Sequence, residues 1–451
     1  MTSLVDAGTG QRRLLGALVG ANAAAYISTA VPLNLVLATH LTAIAGAGAT
    51  SAFSLVTGIG GLAGLLANPL GGRISDRTAA RFGRRRTWIV TGGLGAAILL
   101  VVMGWTTAVW QVALGWALIM VLVGFQLAAS SALAADQVAP QRRGTVSGVV
   151  AFVALAGPVV GFAVVSVVPA LPWLQWAVVG GLSAAGVLMT ALLVRDPRHR
   201  IPAGEPRLGL AVVLRSYWVS PRRHPAFAWA WAVRFLISAA WASNSYLAFV
   251  LTQRFAVAAD AVAGMIFLLT LVGIACVAVV AWLTGWLSDR IRRQKPFVFG
   301  GGLVLAVGLV VVAFSPGIPA VYAGAAVMSL GYGAFLATDF ALCLRMLPDP
   351  ESAGKDFAVL NIAAILPASL VPFVAPALLA AGGFTALFGG LAVLAVAGAV
   401  GIARVPDIGQ EGQARFAAVN RGGGGGGGGG GGPPGGGGAG PPPPPTPGTS
   451  G

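Results

Sequence analysis

The sequence predicts an all-α integral membrane protein of twelve transmembrane helices, arranged as two pseudo-symmetric six-helix bundles. Three observations predict it. Of 451 residues, 57% are hydrophobic and only 9% are charged, too few charges to cover a water-facing exterior, where about a quarter is usual. The apolar residues fall into twelve blocks separated by short polar ones. The cations alternate, filling every second connection and, but for Arg254, avoiding the others.

The first six spans lie near 14–39, 48–70, 87–106, 108–136, 144–168 and 173–194. The second six lie near 226–252, 261–287, 297–315, 319–344, 357–380 and 384–403. Each is long enough to cross a hydrocarbon core with some tilt. Arg12 and Arg13 before an apolar run resemble a secretory or twin-arginine signal. The run continues from Leu14 to about Thr39, too long for a signal core, so an uncleaved first helix is expected.

Of the 28 Lys and Arg, all but Arg254, in an opposite-side loop, and Arg234, inside a span, fall in the N-terminus, the even-to-odd loops or the C-terminal segment. The positive-inside rule then makes both termini cytoplasmic, as in a multi-pass protein of the plasma membrane. The same placement argues against nucleic acid as the partner of the +15 net charge, because the cations cluster between apolar blocks rather than along one face.

The expected organisation is a cytoplasmic N-terminus (1–13), an N-terminal bundle (14–194), a basic linker (195–225), a C-terminal bundle (226–404) and a Gly/Pro-rich tail (405–451). Leu208 to Trp218 in the linker suits an amphipathic surface helix. Eleven consecutive glycines begin the tail's low-complexity part, which can bury nothing and is expected to be disordered. Cys276 and Cys343 sit in separate apolar spans and make neither a disulfide framework nor a zinc site.

A duplicated motif carries the most information. After the second span the chain reads Gly72-Arg73-Ile74-Ser75-Asp76-Arg77, continuing to Gly83-Arg84-Arg85-Arg86. After the eighth it reads Gly285-Trp286-Leu287-Ser288-Asp289-Arg290, followed by Arg292 and Arg293. Gly at a helix end permits a left-handed turn or tight packing. The carboxylate is placed to meet a helix N-terminus and nearby arginines. Such a turn would latch the two bundles on the cytoplasmic side.

This pattern resembles the signature loop of the major facilitator superfamily. Asn68-Pro69-Leu70-Gly71-Gly72, Ser75-Asp76-Arg77 and Arg81-Phe82-Gly83-Arg84-Arg85-Arg86 resemble the glycoside–pentoside–hexuronide cation symporters and their sucrose-transporter-like branch. Leu347-Pro348-Asp349, Gly354-Lys355-Asp356 and Asn361-Ile362-Ala363 are similar to bacterial members. Thr87 stands where that branch has proline, and Arg292 where the motif has glycine. The resemblance implies two bundles around a cavity lined by helices 1, 4, 7 and 10, working by alternating access. It also implies a sugar-like solute, a coupled proton and a functional monomer in the lipid bilayer.

Ionisable groups inside spans are costly and point to function. Asp339 in helix 10 and Arg234 in helix 7 lie at similar depth and are expected to pair, the pair breaking or protonating during transport. Asp136 ends helix 4 near the surface, where a gate or capping role is expected, with Arg142 and Arg143 close in sequence. Polar and aromatic candidates for solute contact are Tyr26 and Asn34 on helix 1, Gln126 on helix 4, Trp241, Asn244 and Tyr246 on helix 7, and Tyr332 on helix 10. Asn22, Ser130, Ser131 and Thr338 complete the set.

An exporter of drugs or secreted metabolites would use the same fold. A membrane-embedded enzyme would need clustered carboxylates or a histidine acid–base site. His40, His199 and His224 are scattered and no acidic pair has metal spacing. No catalytic residue, metal or cofactor is therefore expected, and no phosphate-cradling loop points to ATP.

Overall fold

The computed structural model describes residues 2–139, 142–168, 171–194, 196, 225–291, 293–345 and 353–405. Most of the predicted linker and nearly all of the predicted tail lie outside them. Among the described residues, ten continuous segments are long and apolar enough to cross a membrane. Two of these, Gln11–Asp76 and Val359–Arg404, are 66 and 46 residues long. Each holds two crossings joined by a glycine break, which brings the crossings to twelve.

Helix α1 runs Thr2–Val31, loosens into a π-turn at Pro32–Val36, and resumes at Leu37–Ala45. Gly46, at φ +52, ends it, a conformation open to glycine without penalty. Then follow α2 (Ala49–Asp76), α3 (Arg84–Met103), α4 (Val109–Gln137), α5 (Arg143–Ser166) and α6 (Pro172–Leu193).

The second half begins with α7. It is α-helical over Pro225–Trp241, tightens to a 3-10 turn at Ala242–Tyr246, and passes through Leu247–Phe249 into a π-turn at Val250–Arg254. Helices α8 (Ala259–Ile291), α9 (Lys295–Ala313) and α10 (Ile318–Arg345) come next. Ala353–Gly401 breaks at Gly382 and Gly383, the latter at φ +62, into α11 (353–381) and α12 (384–401).

Small residues hold the helices together, as expected where burying more apolar surface gains little. A Cβ on Gly20 would stand 2.6 Å from the Gly186 carbonyl, so α1 and α6 touch backbone to backbone. On α9 and α10, Gly308 meets Gly324 and Gly301 meets Gly331 in the same way. Large apolar side chains cover the outside instead: Phe152, Leu192, Val279 and Trp282 are all exposed. Several polar groups inside are tied down. His40 bonds the Thr106 carbonyl at 3.1 Å and accepts from Trp176 Nε1 at 3.3 Å, linking α1 to the α3–α4 turn and α6.

The predicted spans coincide with these helices to within a few residues, apart from the N-terminal extension of α1. One expectation is corrected. Gly72 and Gly285 do not terminate helices, because α2 continues to Asp76 and α8 to Ile291. The motif acids therefore occupy the last helical turns, not loops.

Among the described residues, the most extensive contacts between the halves are those of α2 with α11 and of α5 with α8, and α7 adds contacts to α1 and α2. We call the end carrying the basic loops the basic face. A Cβ on Gly58 would stand 2.8 Å from the Phe373 ring, and one on Gly61 2.4 Å from Ser369 Oγ, so α2 and α11 are tight from mid-membrane toward the opposite face. The same side of α2 continues through Asn68, Gly72 and Asp76. There Asn68 and Asp76 are exposed, and no described residue lies within 4 Å of a Cβ on Gly72. Gly144 and Gly148 on α5 and Gly285 on α8 are equally open among the described residues. Among the described residues, the halves pack closely toward the opposite face and leave these positions open toward the basic one.

Candidate functional site

The midline groups are positioned by helical spacing. Helices α7 and α10 run antiparallel. On α7, Trp241 follows Arg234 by seven residues, and on α10, Tyr332 precedes Asp339 by seven. Seven residues is about two turns, so both pairs share a face about 10 Å apart. Arg234 Nη1 donates to Asp339 Oδ2 at 2.6 Å, with the side chains 11% and 5% exposed. Trp241 and Tyr332 stack with centroids 4.1 Å apart and planes 5° from parallel. Both rings are half-buried.

Helix α1 supplies the facing side. Asn244 Nδ2 donates to Asn34 Oδ1 at 3.1 Å across the halves, both side chains half-buried. Tyr26 is half-buried two turns nearer the basic face. The remaining solute candidates sit elsewhere. Gln126 is fully buried in the N-terminal half, its Nε2 donating to the Ala21 carbonyl at 2.8 Å. Tyr246 is 1% exposed and bonds Ser54 at 2.9 Å, nearer the opposite face. Asn22 and Ser130 bond each other at 3.2 Å between α1 and α4.

At the basic face the first motif is folded into an ion-pair cluster within its own half. Arg85 reaches Asp76 at 2.5 Å, Asp136 at 3.1 Å and Ser75 at 3.0 Å. Arg84 reaches Asp136 at 2.9 Å. The partners of Asp136 are thus on α3. Arg143 instead donates to the Val138 and Ala135 carbonyls at the end of α4, and Arg142 bonds Gln11. Gly83 is the motif glycine that needs its freedom, at φ +94. The second motif differs. Asp289 is exposed and forms no ion pair among the described residues, while Arg290 lies over the Trp286 ring at 5.5 Å. Among the described residues, the ion pairs of the first motif thus lie within its own half.

Residues 14–284 and 257–422 match the sequence profile of the Major Facilitator Superfamily. The chain belongs to the major facilitator superfamily. Membership makes it a transporter and not an enzyme. No curated protein sequence matches it. Solved structures match its fold. The nucleoside transporter NupG is 14% identical with a TM-score of 0.67, covering 86% of this chain and 99% of its own. The inward-open xylose transporter XylE from E. coli is 15% identical with a TM-score of 0.62, covering 90% and 98%. A POT family transporter in complex with 5-aminolevulinic acid is 12% identical with a TM-score of 0.67, covering 87% and 94%.

Two groups of this superfamily member escape sequence reasoning. Asp196 Oδ2 accepts the Arg85 and Arg86 amides at 2.6 and 3.0 Å, capping α3 from the end of α6. Its only sequence signal was an acid amid the basic residues after span six. Arg254 donates to the carbonyls of Val312, Ala313 and Ser315 at 3.3, 2.9 and 3.0 Å, capping α9. Its lone position on the opposite side marks it only in hindsight.

Proposed function

We propose that this transporter is secondary active, moving a small sugar-like solute by alternating access with a proton as the coupling ion. The observation that carries the reading is the buried Arg234–Asp339 pair, 2.6 Å long, two turns from the Trp241–Tyr332 stack on the same helix pair. A buried pair costs desolvation that good geometry barely repays, and one inside a membrane is retained for function more often than for stability. Asp339 is the group to exchange a proton, Arg234 the counter-charge that holds it ionised between cycles. Trp241, Tyr332, Asn34, Asn244 and Tyr26 offer ring faces, amides and a hydroxyl to a polar ring; Gln126 and Tyr246 serve packing and closure. Asp76, Arg77, Arg84, Arg85 and Asp136, with Gly285, Asp289 and Arg290 in the second half, form the gate region of the basic face. By the positive-inside rule that face is cytoplasmic, so the protein opens inward; the same reading puts it in the plasma membrane as a monomer. The solved neighbours include carriers of nucleosides and xylose, which is compatible with a polar ring as solute.

The test is uptake of radiolabelled glycosides and pentosides into proteoliposomes under an imposed pH gradient. Asp339→Asn is expected to abolish gradient-driven accumulation while solute-driven exchange persists. Either single change leaves one buried charge uncompensated, at roughly 3–5 kcal/mol, so the double variant Arg234→Gln/Asp339→Asn controls for folding. Gradient-driven accumulation in that folded double variant would remove Asp339 from coupling. Efflux of toxic compounds without uptake of any glycoside would replace import by export.

A further inference from the structure

Near the face opposite the basic loops, elements of both halves converge on a sealed cluster. Phe53 and Ser54 lie in the second turn of α2, and Tyr246 and Phe249 at the irregular end of α7. All four are between 0% and 1% exposed. Phe53 stands edge-on to Tyr246 at 5.4 Å and to Phe249 at 5.0 Å, while the Tyr246 and Ser54 hydroxyls bond at 2.9 Å. On its midline side lies the Asn34–Asn244 bond. Asn34 lies within the π-turn of α1, and Asn244 within the 3-10 turn of α7. The two halves thus meet through departures from the α-helix at corresponding helices. Such turns have poorer backbone hydrogen bonds and mark places where a helix can bend.

We propose that Phe53, Tyr246 and Phe249, with the Ser54–Tyr246 and Asn34–Asn244 bonds, form the gate that closes the solute pathway at this face. The chemistry suits a gate better than a permanent seam. The three rings exclude water while packed, and the two polar bonds are the kind that water can replace at small net cost when they part. The irregular turns let α1 and α7 bend without unfolding either helix. Half-buried Asn34, Asn244, Trp241 and Tyr332 lie toward the midline from the rings, so parting the rings would join them to the opposite solution. The proposal rests on the transporter reading but not on the solute, and its test uses none.

In a Cys276→Ser/Cys343→Ser background, Tyr26→Cys reports water access to the midline. A membrane-impermeant maleimide applied to the basic face is expected to label it readily, and from the opposite face slowly. Tyr246→Phe, which deletes one bond, is expected to raise opposite-face labelling about fivefold. Phe53→Ala is expected to raise it by about tenfold or more. Unchanged opposite-face labelling in both variants, with basic-face labelling intact, would overturn the gate. Because Phe53→Ala risks misfolding, a second arm uses Phe249→Leu, which keeps an apolar side chain and removes one ring of the packed trio. It is expected to raise opposite-face labelling about threefold while leaving basic-face labelling unchanged. Unchanged opposite-face labelling in this folded variant would overturn the proposal equally. Transport without glycoside uptake would leave both arms as they stand, so the two readings fail separately.

Discussion

Gly83 shows how one residue serves two constraints at once. Its φ of +94 is open to glycine and strained for any other residue, and a Cβ there would stand 2.5 Å from the Cβ, Cγ and carbonyl of Asp196. Asp196 in turn satisfies the first amides of α3, groups that a helix start otherwise leaves without partners. Gly83→Ala is therefore expected to destabilise the protein by roughly 1–3 kcal/mol, and Asp196→Ala by about 1 kcal/mol through the lost cap. Thermal melts of the purified protein check both. A Gly83→Ala midpoint equal to that of the parent would remove the steric argument. Gly83 was legible only as a member of the motif, since the left-handed turn was expected at Gly72 and Gly285 and falls at Gly83 instead. Its partner was not legible. Asp196 lies over a hundred residues away, and no local spacing reports a contact made only when α3 and α6 pack.

At the level of helices, number and extent were nearly all legible, because hydrophobic blocks and alternating cations are local signals. The irregular turns in α1 and α7 were not legible. Pro32 marks the first, but Ala242–Tyr246 carries no breaker, and tertiary contact across the halves shapes it. The four solute candidates Asn34, Trp241, Asn244 and Tyr332 come together at the midline, whereas Gln126 turns into its own half; composition does not encode which side of a helix faces a partner. Glycines along α2 expose the consequence of the asymmetric contact. A Cβ at Gly61 meets Ser369 Oγ at 2.4 Å and its Cα at 3.0 Å, whereas at Gly72 it meets no described residue within 4 Å. Gly61→Ala is expected to cost roughly 1–3 kcal/mol by overpacking. Gly72→Ala is expected to be neutral or to stabilise by up to about 1 kcal/mol through helix propensity. Equal thermal shifts in the two variants would mean that α2 is not held against α11 on one half of its length.

The whole molecule turns this asymmetry into a motion. If the halves rock about the mid-membrane contact of Gly61 with Ser369, closing the basic face must bring α5 onto α8 where both are now open. Gly148 lies five residues from the basic end of α5, and Gly285 six residues from that of α8. Their depths are about 8 and 9 Å at 1.5 Å per residue, so they arrive level. Absent side chains let the backbones approach as closely as Gly301 and Gly331 already do between α9 and α10. Asp289, exposed and without an ion pair among the described residues in this state, would be carried toward the N-terminal half by the same movement, while Asp76 is already held by Arg85. The cysteine pair Gly148→Cys/Gly285→Cys in a Cys276→Ser/Cys343→Ser background is therefore expected to stay reduced under mild oxidation while the basic face is open. It is expected to cross-link when Phe53→Ala weakens the opposite face. A third cysteine, Asn68→Cys, exposed on the open side of α2, is expected to react with an impermeant maleimide from the basic face before cross-linking and to be protected after it. Cross-linking at the same rate with and without Phe53→Ala, or an Asn68→Cys that labels equally well once the bridge has formed, would mean that the two faces do not close in alternation.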